Sequence, residues 1–119
     1  MGKIIAISNQ KGGVGKSTTA INLTSCLSEM DKKILLVDID PQGNTTSGLG
    51  LEKDDIEYSI YDLLIGNCTT DEAILSMEYP KIDIIASNID LSGAEIELLE
   101  FEAKEYRLKK ALEDVKDRY

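Results

Sequence analysis

Residues 8–19 read Ser-Asn-Gln-Lys-Gly-Gly-Val-Gly-Lys-Ser-Thr-Thr. Gly12, Gly13 and Gly15 carry no Cβ, so a backbone built from them can wrap closely around an anion. Successive N–H groups in such a loop point inward as a nest for negative charge. Lys16 follows at the place where a lysine reaches the β and γ phosphates of a nucleotide, and Ser17 offers a hydroxyl to Mg²⁺. The chemistry indicated is the binding of a phosphate chain. The alternative is a glycine-rich turn between a strand and a helix that holds no ligand.

A phosphate loop needs a strand before it and a helix after it. Ile4-Ile5-Ala6-Ile7 supplies an unbroken apolar run directly ahead of the loop. It does not alternate, which suits a central strand over residues 3–8, covered on both faces. Ser17 to Met30 reads as the helix, with Ala20, Leu23, Leu27 and Met30 as its apolar stripe and Asp31 with two lysines at its end. The helix N-terminus presents unpaired N–H groups and the positive end of its dipole to the loop.

Ile34-Leu35-Leu36-Val37 reads as a second buried strand. It runs into Asp38-Ile39-Asp40, which places two carboxylates on one side of its carboxyl end. Pro41 and Gly43 then turn the chain. In isolation the pair reads as two solvated turn carboxylates. Beside a phosphate loop, Asp38 and Asp40 become candidates to hold Mg²⁺ or an attacking water, at the end of the sheet where open α/β folds bind ligands.

Two departures from the common G-x-x-x-x-G-K-[ST] pattern carry a resemblance. Gln10 stands where that pattern has glycine, and Lys11 adds a second cation. Lys11-Gly12-Gly13-Val14-Gly15-Lys16-Ser17-Thr18 resembles the deviant Walker A motif of the ParA/MinD superfamily of ATPases. Leu35 through Asn44, with its Asp-Pro-Gln-Gly-Asn ending, resembles the second motif of the ParA/Soj partitioning branch. Asn44 to Gly50 resembles that family's first switch region, and Ser87 to Glu95 resembles its S-N-x-x-L-x-G-A-E segment.

The resemblance implies an α/β fold, a P-loop NTPase-like parallel sheet with flanking helices. Only the N-terminal part is expected, as residues 1–119 of a single domain, with the Walker B strand and beyond missing. It implies ATP binding and hydrolysis with Mg²⁺, in chromosome or plasmid partition. The phosphate site would comprise residues 11–18. Lys11 would act from a partner subunit as the signature lysine, Ser17 and Asp40, with Asp38, would serve the metal, and Asp40 would position the water. Further implications are an ATP-dependent homodimer, a ParB-type partner, non-specific DNA binding through a surface not in this chain, and a cytoplasmic, nucleoid-associated location. A MinD-like division-site ATPase lacks the Pro-Gln-Gly-Asn continuation. A non-catalytic structural fragment, unable to turn over ATP, is the reading from outside the enzymes.

Composition bounds the rest. The 119 residues are 42% hydrophobic and 29% charged, the balance of one globular domain. The net charge of −9 disfavours binding of nucleic acid or an anionic membrane by bulk electrostatics. No apolar run approaches the roughly 20 residues of a membrane span, and no leader segment is evident. With no histidine in the chain, imidazole catalysis is excluded. Cys26 and Cys68 have no metal spacing, and Cys26 reads as a small buried residue of the first helix.

Later segments read as packing elements. Residues 52–58 form an acidic loop. Ser59 caps a helix over residues 60–65, closed by Gly66, and Thr70 caps another from Asp71 to Met77. Ile82 to Ala86 forms a third strand. Asp90 or Ser92 caps the approach to a final helix from Ile96 to Tyr119, whose apolar positions include Leu98, Phe101, Leu108, Leu112 and Val115, with a break near Ala103. That helix covers the sheet or offers a face to a partner. A sheet without its later strands has an unpaired edge. Self-association, exchange of elements or marginal stability is therefore expected, and light scattering together with a thermal melt checks it. A monodisperse monomer that melts cooperatively would count against that expectation.

Overall fold

The computed structural model describes residues 3–7, 16–40, 43–87 and 101–119. Its centre is a three-stranded sheet of mixed direction. β1 (Leu35–Val37) lies parallel to β3 (Lys81–Ile85), and β2 (Ile74–Glu78) lies antiparallel to the other edge of β3, giving the order β1-β3-β2. The register pairs Leu35 with Asp83 and Val37 with Ile85. The middle strand is the most buried, with Ile82, Ile84 and Ile85 all in the core. Burying each isoleucine side chain contributes about 1.5–3 kcal/mol.

The first helix, α1 (Lys16–Glu29), begins at the lysine that ends the glycine-rich loop. It closes as the sequence indicates. Asp31 takes φ 59°, its N–H donates to the Ser28 carbonyl, and the Lys32 N–H reaches back to the Leu27 carbonyl. These two bonds satisfy carbonyls that the helix end would otherwise leave open. The inward face differs from the expected stripe. Ala20 and Thr24 are buried, while Leu23 is exposed and Met30 is 64% exposed. Thr24 can occupy an interior position because its hydroxyl donates to the Ala20 carbonyl at 2.7 Å, one turn back. Cys26, expected to be buried, is exposed on the outer side of the same helix.

Residues 3–7 form no strand. Ile4 and Ile5 are 76% and 62% exposed, in place of the buried central strand expected there. An apolar run becomes a buried strand only where a neighbour completes its hydrogen-bond ladder. Among the described residues none pairs with this one, and β1 pairs with β3 alone. The segment instead lines a cavity of 540 Å³ with β1 on its other side.

Downstream, α2 (Asn44–Gly48) packs tightly on α1: a Cβ at Gly48 would stand 2.7 Å from Ile21 Cδ1. A single 3₁₀ turn, Lys53–Asp55, interrupts the acidic loop. α3 (Ile60–Leu64) starts as expected from Ser59. The Ser59 hydroxyl accepts from the Tyr61 and Asp62 amides, and the Asp62 carboxylate accepts from the Ser59 N–H. The next helix is shorter than expected. α4 (Thr70–Ala73) is capped by Thr69, not Thr70, and the chain passes directly into β2. Pairing with β3 outweighs the local helical tendency of residues 74–77, because that ladder covers the second edge of the buried middle strand.

α5 (Phe101–Glu113) runs unbroken past Ala103 and ends at Glu113, short of the Tyr119 end expected, before a 3₁₀ turn over Lys116–Arg118. The expected stretch from Ile96 to Glu100 and the caps at Asp90 and Ser92 lie outside the described residues. Leu108, Ala111 and Leu112 pack against the cluster of Ile60, Leu63, Leu64, Ala73 and Ile85. Three polar ties fix this layer. Arg107 donates to the Leu64 carbonyl at 2.9 Å, Thr70 to the Ala111 carbonyl at 3.1 Å, and the Tyr119 hydroxyl to Asp83 Oδ2 at 2.6 Å.

The two cysteines are set apart by this packing. Burial, with the Asp62 and Glu72 carboxylates nearby, pushes the Cys68 thiol up to about 11. Cys26 lies open to solvent. Since the thiolate is the reactive species, iodoacetamide at pH 8 is expected to alkylate Cys26 at least about tenfold faster than Cys68. Peptide mapping against time measures both rates.

Candidate functional site

The site is built where the carboxyl ends of β1 and β3 meet. The β1–β3 ladder continues one residue beyond β1, with the Asp38 N–H donating to the Ile85 carbonyl at 3.0 Å. Asp38 is only 4% exposed. A buried carboxylate is tolerated when donors surround it, and three do so here. Asp38 Oδ1 accepts from the Asp40 N–H at 3.0 Å. Asp38 Oδ2 accepts from the Thr46 N–H at 2.9 Å and the Thr46 hydroxyl at 2.6 Å. Asp38 thereby anchors α2 to the end of β1.

Asp40 is half-buried, and its carboxylate accepts from the Asn44 side-chain amide at 2.9 Å. Its backbone carbonyl closes a turn by accepting from the Gly43 N–H at 2.9 Å. The same carbonyl accepts from the Ser87 hydroxyl. Gly43 sits at φ 63°, and a Cβ there would stand 3.2 Å from the Ser87 carbonyl oxygen, so the turn requires glycine. The Ser87 N–H donates to Thr46 Oγ1 at 3.0 Å. Thr46 and Ser87 thus join Asp38 to the Asp40 turn.

Beneath this ring lies Tyr61, buried on α3, which the Ile60 N–H ties to the Ala86 carbonyl at 2.7 Å. Burial pushes the Tyr61 phenol pKa up, and Asp38 and Asp40 add to the shift. The Ser87 hydroxyl beside it acts in the other direction. That hydroxyl is aimed at Asp40, and the Tyr61 oxygen makes no hydrogen bond.

Lys11, Gly12, Gly13, Val14 and Gly15, with the side chains of Lys16 and Ser17, lie outside the described residues. Lys16 is the first residue of α1, so the helix's unpaired amides begin directly after the loop. Thr18 lies exposed in the first turn of α1. Ala20 in the next turn lines the same cavity as Asp38, Asp40 and Thr45. The helix that follows the loop and the two carboxylates therefore share one cavity. Among the described residues no group of three or more Cys, Asp or Glu side chains could hold a metal. An Mg²⁺ ion takes one or two protein oxygens and completes its shell with water and phosphate, and Asp40 with a hydroxyl from the loop suits that need.

Sequence reasoning brought Asp38 and Asp40 to the site but missed Thr46 and Ser87. One signal for Ser87 was available. It directly follows the Ile82–Ala86 run, at the carboxyl end of a strand parallel to the one that delivers Asp38.

A family model described as an AAA domain matches residues 2–119. The chain belongs to the AAA domain family. Within it, the sequence is of ParA/Soj type. It is 55% identical over 119 residues to the sporulation initiation inhibitor protein Soj of Bacillus subtilis, covering 100% of this chain and 47% of that protein. It is 45% identical over 114 residues to the chromosome partitioning protein ParA of Caulobacter vibrioides, covering 96% and 43%. The chain thus spans about half the length of the curated relatives it matches.

Among solved structures, cobyrinic acid a,c-diamide synthase of Mycobacterium smegmatis, with bound ADP and magnesium, superposes with a TM-score of 0.87 at 37% identity, covering 100% of this chain and 48% of that one. The cell division ATPase MinD of Pyrococcus furiosus gives 0.76 at 27% identity, covering 100% and 47%. The fold is the P-loop α/β fold of the ParA/MinD ATPases, here with an antiparallel β2 beside the parallel pair.

Replacing Thr46 by valine keeps the shape but removes one donor to buried Asp38 and the acceptor of the Ser87 N–H. Urea unfolding is expected to show a loss of about 2 kcal/mol. Asn44→Ala, at an exposed position, is expected to cost less than about 1 kcal/mol in the same assay.

Proposed function

We propose that this chain is part of an ATP-binding and ATP-hydrolysing partitioning protein of the ParA/Soj type, acting in chromosome or plasmid segregation. The observation that carries the reading is the shared cavity. Residues 11–15 directly precede α1, and α1, through Ala20, lines one space with Asp40. The relatives' own names, Soj and chromosome partitioning protein ParA, support the cellular role. We read residues 1–119 as belonging to a single ATPase domain.

In this reading the loop amides from Gly12 to Lys16 and the first amides of α1 hold the phosphates, with the Lys16 side chain on the β and γ groups. Ser17 supplies a hydroxyl to Mg²⁺, and Thr18 extends the loop's polar contacts. Mg²⁺, when bound, offsets the charge of the phosphate oxygens. Asp40 accepts a hydrogen bond from the attacking water and orients it in line. Asp38, whose oxygens already accept three hydrogen bonds, serves the metal through the placement of Asp40.

Lys11 acts on the phosphates of a second subunit in an ATP-dependent homodimer. A cation supplied in trans contributes on the order of 10³–10⁵ in rate, so an isolated subunit binds ATP but hydrolyses it poorly. A ParB-type partner, non-specific DNA and a cytoplasmic, nucleoid-associated location belong to the whole protein. The −9 charge of this chain leaves DNA contact to a surface outside it. No described helix is long and apolar enough to cross a membrane. A MinD-like role is the second reading, suggested by the structural likeness to MinD. The Pro41-Gln42-Gly43-Asn44 sequence favours partition over it.

Melting with and without Mg-ATP tests the reading. Ligand at about 100 times its dissociation constant adds roughly 2.7 kcal/mol to the folded state. A rise in Tm that Lys16→Ala abolishes is the expected result. No rise in the unaltered chain would leave a structural fragment as the better description.

A further inference from the structure

The Ser87 hydroxyl is placed unusually for a strand-end serine. It is 2% exposed and directed at the carbonyl of the residue that carries the proposed water-orienting carboxylate. That carbonyl already accepts the Gly43 N–H of its own turn, so local structure would satisfy it without Ser87. The Ser87 carbonyl stands against Gly43 and excludes a side chain there. The Ser87 N–H holds Thr46, which holds Asp38. One residue therefore touches the turn at its first and last positions and the helix that follows it. Behind it, Ala86 is fixed to α3 through the Ile60 amide, so the support is rigid.

We propose that Ser87 is a positioning residue for Asp40, setting where the Asp40 carboxylate stands relative to Mg-ATP. The inference rests on the ATP-binding reading above and adds to it a residue outside the two motifs. Ser87 acts through the backbone and touches neither nucleotide nor metal. Only the metal-dependent part of nucleotide binding depends on where Asp40 stands, because the metal-free part is held by the loop and α1. Tyr61, adjacent and without a hydrogen bond, lies outside this chain of contacts. Since its hydroxyl makes no hydrogen bond, removing it is expected to leave the turn in place.

Calorimetric titration of the full chain with ATP, in Mg²⁺ and again in EDTA, tests the proposal on Ser87→Ala, Ser87→Thr and Tyr61→Phe. Ser87→Ala is expected to weaken Mg-ATP binding about tenfold, the effect of one lost hydrogen bond, and to leave binding in EDTA unchanged. Ser87→Thr, which keeps the hydroxyl, should restore most of the loss, and Tyr61→Phe should match the unaltered chain in both conditions. Ser87→Cys, similar in size but a weak donor, replaces the alanine variant if that one does not fold. Equal weakening in Mg²⁺ and EDTA would overturn the proposal in favour of a purely structural tie. So would a Ser87→Ala titration identical to the unaltered chain's, which would sink this proposal alone. An unaltered chain that binds no ATP in either condition would remove the ATP-binding reading, and this inference with it.

Discussion

A buried negative charge must collect donors or destabilise the fold by several kcal/mol. Asp38 imposes that condition on its neighbourhood. Its two oxygens need partners at the end of β1, where the strand has run out of ladder. The chain answers by doubling back. The Asp40 amide serves one oxygen, and Thr46 serves the other with both its amide and its hydroxyl. Meeting this need brings α2 down onto α1, where Gly48 leaves room for Ile21. It also turns Thr46 Oγ1 toward the Ser87 N–H, joining the ends of β1 and β3. Asp38 thus ties the end of β1 to α2, while the Asp40 carboxylate is held by Asn44 on the same turn.

What could be read from the sequence is what local chemistry decides. Ser59 caps α3 and Gly66 closes it in left-handed backbone, both as the residue types indicate. Ile34–Val37 and Ile82–Ala86 are dense enough in branched aliphatics to form strands wherever a partner lies alongside. The Asp-x-Asp pair after a strand marked the carboxyl end of β1, where the structure places Asp38 and Asp40.

The misses share one cause, which is that a partner distant in sequence decided the outcome. Residues 3–7 have the composition of a core strand, but no described neighbour completes their ladder. Residues 74–77 read as helix by local pattern, and β3 takes them as a strand. Thr24, polar by type, faces inward because Ala20 offers its carbonyl, and Leu23 turns outward in consequence. Thr46 and Ser87 were invisible for the same reason. Each looks like an ordinary polar residue until the fold sets them 3.0 Å apart across 41 positions of chain.

That separation also bears on the order in which the chain folds. β2 and β3 are joined by a two-residue turn, Tyr79–Pro80, and can zip together on microsecond timescales. The Ser87 contact with Asp40 spans 47 positions, and the β1–β3 pairing spans 48. Both must repay a loop-closure entropy that the hairpin never incurs. Sequence separation therefore favours the hairpin forming before the Asp40 turn. A nascent chain cannot complete this carboxylate site until Ser87 has emerged, so assembly of the site is timed by synthesis itself.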